Sequence, residues 1–595
     1  MVSIIFVALT DRDIARALKQ VTAKDIILTD IYCSPQVGQV EGASFQDSSD
    51  GTLVTLVANW FKEQCRANRV SYGYVNNFYQ SSIRPIAGYL SAIDEIIASR
   101  GKNNIVFHLP SSLLWKARTS TYYLAEYESA GVRLYDRHAT LLPYIEEYLQ
   151  SKNISYQTGK RRWPLQVGIL NPIRLWGVFL SRLLIDIKRS IKNPAGSPSQ
   201  INKVFDKIFI IRTVGQAISI ARYLSVTRET ILVIIGTSNT DVGSYDLLRA
   251  RTAEQENITI VEGLHPDILK TLSIYAKTFW QMLLNKNEKF SYKGIKFNLS
   301  QALLEVTVMN AGLDIYESQI REKITSVTAS FLFSLEQKSP HAFVDAGFAK
   351  ECKMPSAQIQ CCQQTFFNLP NPVCADYFLC ETPKIQKEFQ ACWPGWEDKV
   401  RYVGSIKGIK DENSAGVREN GNQCLRVCLF TGFEKDVNVL VLKAFADFSK
   451  EYQIEVSVKL HPRDRENYSD VFPEAMFIHS YQEEFSEFCT KFDLAITYPS
   501  SVISDLLFTD LPFLVYLPES NIYQAMEIEF LPVGMIPVKT MSELFVKLQS
   551  IEELKITHTQ IINAFRTDQG IITNINYIES NFDDLTVLYS GKKRH

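Results

Sequence analysis

Short apolar runs alternate with amphipathic helical patterns along most of the chain, which is typical of α/β architecture with parallel sheets. The first 155 residues show this alternation clearly, and residues 87–99 have the apolar spacing of a helix. The predicted strands of this region are residues 4–9, 26–32, 105–109 and 132–135. We therefore expect residues 1–155 to form one α/β domain.

Two further α/β domains are predicted from the same alternation, over residues 205–415 and 416–595. A polar stretch at residues 410–422 marks the boundary between them. The predicted strands of the second domain are residues 208–211, 231–235, 258–261, 342–344, 357–359, 377–379 and 400–404. Those of the third are residues 425–430, 455–460, 494–496 and 513–516, and a helix is predicted at 502–508.

The segment 156–204 has a different pattern, a basic amphipathic helix followed by a linker rich in Pro, Gly and Ser. Asn171 and Pro172 predict the helix start, and apolar residues then recur every three or four positions up to Ile191. Such a helix either lies in an anionic membrane interface or packs its apolar stripe against protein; the nearby Trp163 and Trp176 favour the membrane. The cations predicted to face the membrane are Arg174, Arg182, Lys188, Arg189 and Lys192.

Composition narrows the functional class. The 595 residues are 46% hydrophobic and 22% charged, enough for several cores. Lys and Arg number 63 against 65 Asp and Glu, and without a basic surplus the chain is not expected to bind nucleic acid.

The first ten residues resemble a strand rather than a signal peptide, and no apolar run reaches the roughly 18 residues of a membrane span. We expect a cytoplasmic protein that is at most peripheral on the inner face of the membrane.

The eleven cysteines do not predict a disulfide framework, because their number is odd and no secretory signal precedes them. Six lie between Cys352 and Cys392 without any CxxC pair, which argues against a structural zinc site. We interpret them as buried free thiols, and we expect neither a metal nor another cofactor.

Three loops of the third domain carry groups suited to a phosphate. Each follows a predicted strand, so all three should lie at the carboxyl edge of one parallel sheet, where ligands of open α/β sheets bind. They combine a glycine for close backbone approach, basic side chains aimed by a proline, and two hydroxyls before a helix. These candidate donor-binding residues are Thr431, Gly432, Lys459, His461, Pro462, Arg463, Ser500 and Ser501.

This set, followed by residues 511–516, resembles the C-terminal domain of GT-B transferases that build surface polysaccharides. Bacterial sialyltransferases and capsule Kdo transferases have a His-Pro motif and a later Ser-Ser motif in this order, and glycerophosphotransferases of teichoic-acid synthesis look similar. The resemblance covers roughly residues 205–560. It implies a GT-B pair of Rossmann-like domains preceded by an additional α/β domain. It also implies that His461, Ser500 and Ser501 bind the phosphate and sugar of a nucleotide donor without a divalent metal.

Two departures from the family pattern concern the general base. The chain has Gln360, Cys361 and Cys362 where many relatives have Gln-His-Gly. It has a single acid, Glu262, where the sialyltransferases have two acids before a glycine. An inverting transfer needs a base beside the acceptor hydroxyl and stabilisation of the departing phosphate. The candidate catalytic residues are Asp345 and Glu262 as bases, ahead of His265 and Asp241, and His461 at the phosphate.

The sequence therefore predicts a metal-independent glycosyltransferase that moves a CMP-activated acidic sugar, such as sialic acid or Kdo, onto a growing surface glycan. The expected partners are a nucleotide-sugar donor, a glycan or glycolipid acceptor, and an anionic membrane surface. Three alternatives remain: a CDP-polyol phosphotransferase of polymer synthesis, a nucleotide-sugar epimerase of the same fold, and a non-catalytic protein that binds glycan or nucleotide.

Overall fold

The structure is a computed structural model of the 595-residue chain. It describes residues 2–9, 11–29, 44–47, 84–110, 137–158, 171–192, 204–236, 245–261, 267–283, 289–292, 295–298, 300–324, 327–335, 340–360, 375–383, 386–387, 390, 398–404, 406, 424–432, 435–452, 454–461, 464, 466–479, 485–500, 502–517, 535–568 and 575–592.

Strands and helices alternate through the described residues. The strands are β1 (Ser3–Val7), β2 (Ile26–Thr29), β3 (Ser44–Asp47), β4 (Ile105–Leu109), β5 (Tyr156–Thr158), β6 (Val204–Ile211), β7 (Ile231–Ile235), β8 (Ile258–Val261), β9 (Lys289–Tyr292), β10 (Ile295–Asn298), β11 (Thr328–Ser334), β12 (Ser356–Ile359), β13 (Tyr377–Cys380), β14 (Val400–Tyr402), β15 (Leu425–Phe430), β16 (Ile454–Lys459), β17 (Met476–Ile478), β18 (Leu494–Thr497) and β19 (Phe513–Val515). The helices are α1 (Asp11–Ala17), α2 (Arg84–Arg100), α3 (Arg137–Ser151), α4 (Asn171–Lys192), α5 (Val214–Val226), α6 (Asp246–Thr252), α7 (Ile268–Leu283), α8 (Ser300–Ile324), α9 (Pro340–Glu351), α10 (Lys435–Glu451), α11 (Phe485–Cys489), α12 (Val502–Leu506), α13 (Met541–Gln549), α14 (Ile551–Asp568) and α15 (Ile575–Lys592), with a 3₁₀ turn at Lys102–Asn104.

The chain forms two compact units, each assembled from two separate stretches of sequence. The first contains Met1–Gln200 and Leu264–Thr325, and the second contains Ile201–Gly263 and Ser326–His595. Residues 264–325, predicted as part of the domain 205–415, therefore pack with the N-terminal region instead. An insertion of this kind is set by contacts distant in sequence, which local patterning does not reveal.

The first unit contains a five-stranded parallel sheet in the order β3-β2-β1-β4-β5. Helices α2 and α3 bury Tyr89, Ile93 and Tyr148 against it. The hydroxyl of Tyr89 donates to the carbonyl of Ala8 at 2.8 Å, so the aromatic helix face is anchored at the end of β1. The same unit holds the antiparallel hairpin β9–β10 and the packed helices α4, α7 and α8.

The second unit contains two parallel sheets. The larger has the order β14-β13-β12-β11-β6-β7-β8. Residues 208–211 of β6 and all of β7 are apolar on both faces, as buried parallel strands usually are. The last helix of the chain, α15, inserts Ile578, Phe582 and Leu585 into the core of this sheet. The hydroxyl of Thr227 also donates to Glu579 of α15 at 2.6 Å.

The smaller sheet of the second unit has the order β17-β16-β15-β18-β19 and is also parallel. The central strand β15 is buried on both faces because its side chains alternate between two cores. Val427 and Leu429 belong to one core, and Cys428 and Phe430 to the other. The predicted α/β class with parallel sheets is therefore confirmed in both units.

The strand predicted at residues 342–344 is wrong, because these residues lie inside helix α9. The strand of this region is β11, which lies between β6 and β12 in the seven-stranded sheet. A short apolar run after a proline fits either a strand or a buried helix turn, so its periodicity does not decide between them. The strand predicted at residues 132–135 lies outside the described residues.

Within the described residues, Cys380, Cys428 and Cys489 are buried thiols, whereas Cys352, predicted to be buried, is exposed. Burial raises the pKa of the Cys380 and Cys428 thiols.

Among the helices that the structure describes, none combines the length and apolar character needed to cross a membrane.

Candidate functional site

The three predicted loops follow three adjacent strands of the smaller sheet of the second unit. Strand β15 is central, with β16 on one side and β18 on the other. From β15 the chain proceeds outward through β16 and β17, and then returns to β18 and β19 on the opposite side. This reversal of strand order opens a crevice at the carboxyl ends of the strands, where ligands of open α/β sheets bind. The loops after β15, β16 and β18 are thus neighbours at this switch point.

The first two loops are joined by hydrogen bonds through Thr431. Its backbone N–H donates to the carbonyl of Lys459 at 3.1 Å. Its hydroxyl accepts from the backbone N–H of His461 at 3.3 Å. Thr431 is buried, whereas His461 is half-buried and thus partly open to solvent. The predicted role of Thr431 as a donor contact stays a prediction, and its observed contacts fix the start of the His461 loop.

A buried polar network, which the sequence reasoning missed, ties both loops to helix α10. Asn438 has no exposed surface, and its amide donates to the carbonyl of Gly432 and to Asp464, each at 2.8 Å. The hydroxyl of Tyr468 donates to the same carboxylate at 2.7 Å. The backbone N–H of Asp464 donates to the carbonyl of His461 at 2.8 Å. The network therefore fixes both loops before any ligand arrives.

Replacing Asn438 with Ala is expected to destabilise the protein by about 1–3 kcal/mol, because the buried carbonyl of Gly432 and the carboxylate of Asp464 each lose a donor. Ligand affinity at the switch point should fall as well, since two loops lose their common anchor. The measurements are chemical unfolding and nucleotide affinity. Asn467→Ala is the matched control; the exposed Asn467 side chain accepts hydrogen bonds from Ser469 on the same connection, and its loss should leave nucleotide affinity unchanged. Unchanged affinity in Asn438→Ala would show that the network does not organise the site.

The third loop contains Ser500, which is half-buried at the end of the turn after β18. Its hydroxyl lies 3.3 Å from the hydroxyl of Thr497, and its carbonyl accepts from the N–H of Ile503 at 3.1 Å. The following helix α12 spans Val502–Leu506, shorter than the predicted 502–508, so its dipole is small. The side chain of Ser500 is thus a half-buried hydroxyl that this loop offers to a ligand, and Ser501 lies outside the described residues.

The sequence predicts that Lys459 faces a phosphate, whereas in the structure its side chain is directed to two backbone carbonyls. Its ammonium is buried and donates to the carbonyls of Leu460 at 2.9 Å and His479 at 3.1 Å. Burial lowers the pKa of Lys459 to about 8. The contacts with two carbonyls hold the ends of β16 and β17 together, so we infer that Lys459 is structural, while its role in donor binding stays a prediction.

Asp345 lies at the switch point of the seven-stranded sheet, inside helix α9 rather than at a strand end. Its carboxylate is fully buried and forms an ion pair with Arg212, which directly follows β6. The hydroxyl of Ser334, the last residue of β11, donates to the same carboxylate at 2.9 Å. Burial and the charge of Arg212 lower the pKa of His341, one helical turn before Asp345, to about 3, so its imidazole is neutral.

Several predicted site residues lie outside the described residues. These are Glu262, His265, Asp241, Pro462, Arg463 and Ser501. Their roles stay predictions. Among the side chains that the structure does describe, no group of three or more His, Cys, Asp or Glu residues is arranged to hold a metal ion.

The predicted basic helix exists as α4, with the bounds Asn171–Lys192. Arg182 is half-buried and reaches the carbonyl of Val308 in α8 at 3.5 Å, so it packs against protein. Lys188 is exposed. The side chains of the other three predicted membrane-facing cations, Arg174, Arg189 and Lys192, are not among those described.

Comparison with known proteins gives structural similarity at low identity. No family model matches the chain, and no curated protein matches it in sequence. UDP-GlcNAc 2-epimerase from Neisseria meningitidis bound to UDP-GlcNAc is 13% identical with a TM-score of 0.37, and the match covers 64% of this chain and 99% of that chain. The wall teichoic acid polymerase TagF is 11% identical with a TM-score of 0.39, over 72% of this chain and 99% of that one. HepE from Anabaena in complex with UDP and glucose is 11% identical with a TM-score of 0.37, over 64% and 98%. At these identities and scores, none of the three carries an inference about activity or site residues.

Proposed function

We propose that the second unit is a glycosyltransferase of GT-B type that takes a sugar from a nucleotide-activated donor and transfers it to a glycan or glycolipid. The nucleotide-sugar binds at the switch point of the smaller sheet, between Thr431–Gly432, His461 and Ser500. The donor class that fits the motif order is a CMP-activated acidic sugar, and the product is a surface polysaccharide. This assignment takes the two sheets of the second unit as the GT-B pair and the sheet of the first unit as the additional domain.

The observation that supports this proposal is the adjacency of the three loops at one switch point. Three adjacent strands β16, β15 and β18 each end in a loop with a hydrogen-bonding side chain. Two of these loops are bonded to each other through Thr431 and to helix α10 through Asn438. A site with its donors fixed in advance stabilises developing charge without reorganisation during the reaction.

The transfer needs two actions from the protein. The acceptor hydroxyl loses its proton to a base as its oxygen attacks the anomeric carbon of the donor, and the bond from that carbon to the phosphate oxygen breaks. The phosphate leaves with the bonding electrons. In the proposed arrangement His461 donates a hydrogen bond to the departing phosphate, whose charge grows during this step. Ser500 contacts the donor before and during the reaction alike, so it contributes mainly to binding.

The burial of Asp345 argues against Asp345 as the base. Asp345 is fully buried and paired with Arg212, so it is not open to an acceptor hydroxyl in this conformation. We infer that Asp345 positions β6, β11 and α9. Glu262, at the end of β8, stays the candidate base.

Nucleotide binding tests the proposal directly. Thermal unfolding of the whole protein should be followed with CMP, CDP, UDP or GDP present. CMP is expected to stabilise the protein by about 2.7 kcal/mol at a concentration of roughly a hundred times its dissociation constant. Ser500→Ala should reduce this effect at equal ligand concentration, whereas Ser469→Ala, an exposed serine of the same unit, should leave it intact.

The nucleotide that stabilises the protein most distinguishes between the remaining candidate functions. A preference for CDP would favour the polyol phosphotransferase, and a preference for UDP the epimerase. CMP binding without transfer of sugar to any acceptor would favour the non-catalytic protein. If no nucleotide stabilises the protein, or if Ser500→Ala responds like the parent, the nucleotide does not bind at this switch point.

A further inference from the structure

Helix α7 of the first unit has a broad apolar face that the described residues do not cover. Its inner face buries Thr271, Tyr275, Thr278 and Met282. The apolar residues at the intervening three- and four-residue steps lie on the surface, and Leu269, Trp280 and Leu283 are 72%, 60% and 53% exposed. The exposed apolar residues of this face are Ile268, Leu269, Leu272, Phe279, Trp280 and Leu283. A contiguous apolar face of this size on a folded unit marks an interaction site.

The apolar face of α7 continues onto helix α4. The rings of Phe279 and Trp176 meet edge to face at 5.4 Å, which places the boundary between the two helices inside the apolar region. Beyond this boundary α4 exposes Leu180, Leu184 and Ile191 at steps of four and seven residues. The two helices therefore present one apolar surface, which we call the α4–α7 face.

Basic residues outnumber acids on the two helices of the α4–α7 face, while exposed Asp267 precedes α7 and Asp314 of α8 interacts electrostatically with Lys277. Helix α4 carries five basic residues and a single acid, and α7 carries two lysines and no acid. The single acid, Asp186, accepts a hydrogen bond from the hydroxyl of Tyr275 at 2.7 Å and so lies between the helices. Lys188, Lys270 and Lys277 are exposed beside the apolar residues. Tryptophan among leucines with flanking lysines is the composition of a helix that lies at a lipid interface.

We propose that the α4–α7 face docks the protein on an anionic lipid bilayer, with the leucines and Trp280 among the acyl chains and the lysines on the headgroups. The charge pattern disfavours a second copy of the chain as the occupant, because two such faces would bring the exposed Lys188, Lys270 and Lys277 of each copy together. The proposal extends the predicted membrane contact from α4 to a two-helix surface in which α7 provides the larger apolar area. It does not depend on the transferase activity.

Vesicle binding by the 595-residue chain tests the proposal. The protein should sediment with vesicles of phosphatidylcholine and phosphatidylglycerol, and not with vesicles of phosphatidylcholine alone. The triple variant Leu269→Gln, Trp280→Gln, Leu283→Gln should bind on the order of a hundredfold more weakly, because it removes apolar surface that enters the bilayer. Its melting temperature should not fall, since these side chains are mostly exposed.

The matched control is a triple variant of equally exposed apolar residues in the second unit, Leu440→Gln, Val546→Gln, Ile556→Gln. It should bind vesicles like the parent. A third variant, Lys270→Gln, Lys277→Gln, should weaken binding to the anionic vesicles by about fivefold per lysine. High salt should weaken binding of the parent, because salt screens the headgroup attraction.

Three outcomes would overturn the proposal. The first is a parent protein that does not bind anionic vesicles, and the second is unchanged binding by the Leu269, Trp280, Leu283 variant. The third is a parent that is dimeric by light scattering without lipid and becomes monomeric in that variant, which would make the face a contact between two copies. The lipid measurements do not involve a nucleotide, so they remain decisive whether or not the transferase proposal holds.

Discussion

His461→Ala is expected to lower the rate of sugar transfer by about a hundred- to a thousandfold, corresponding to about 3–4 kcal/mol of transition-state stabilisation. In the proposed site the imidazole donates to an oxygen whose negative charge grows as the bond from sugar to phosphate breaks. The loss should appear mainly in kcat, because the interaction is stronger in the transition state than in the bound donor. Stability should change little, since the side chain is half-buried and its loop is fixed by backbone contacts of Thr431 and Asp464.

The matched control for this variant is His479→Ala. His479 is exposed and follows β17, at the edge of the same sheet and away from the switch point. It should retain nearly full transfer. Steady-state kinetics with the nucleotide-sugar that binds best, together with the melting temperatures of both variants, completes the test. Full activity in His461→Ala would refute the assignment of the donor site to this sheet.

Four of the five strands of the smaller sheet of the second unit, β15, β16, β18 and β19, could be predicted from the sequence because they contain short runs of buried residues, whereas the partly exposed β17 was not predicted. Residues 425–430, predicted as a strand, form β15 with these same bounds. A continuous run of apolar residues between polar segments is the pattern that a central parallel strand requires. Because the strands are parallel, the loops after β15, β16 and β18 lie at one edge of the sheet, as the sequence predicts, while the donor-binding roles of their residues stay predictions.

The region around Asp345 could not be placed from the sequence because a short apolar run does not distinguish a strand from a buried helix. Residues 342–344 lie in α9, whereas the neighbouring strand β11 begins with the more polar Thr328. The carboxylate predicted at a strand end consequently lies inside a helix. Its buried partner Arg212 is 133 residues away along the chain, a separation that local patterning does not address.

One feature of the local sequence indicates the buried polar network around Asn438. Helix α10 presents Val441, Leu442 and Phe445 to the core, and Asn438 occupies a position of the same face. A polar residue at such a position must find hydrogen-bond partners, since burying an unsatisfied amide is costly. The pattern could therefore have indicated a buried polar contact. Its partners Gly432 and Asp464 could not be identified, because they lie in loops on either side of β16.

A single substitution that breaks the ion pair between Arg212 and Asp345 is expected to cause the largest loss of stability. Asp345→Asn leaves the buried guanidinium of Arg212 without its carboxylate partner, and breaking a buried pair in this way typically costs about 3–5 kcal/mol. The hydroxyl of Ser334 also loses a charged acceptor. These contacts join the ends of β6 and β11 to α9, so unfolding of the second unit should begin at lower denaturant concentration.

A double variant that removes both charges distinguishes this structural role from the catalytic role that the sequence suggests for Asp345. The double variant Arg212→Met, Asp345→Leu removes both charges, and it should be more stable than Asp345→Asn because no unpaired charge remains in the interior. The measurements are chemical unfolding of the parent and the variants, with sugar transfer assayed on each. If Asp345→Asn keeps the stability of the parent and abolishes transfer, Asp345 acts as the base after all. If it loses stability and the double variant recovers it, Asp345 holds the switch point of the seven-stranded sheet together, and Glu262, His265 and Asp241 remain the candidate bases.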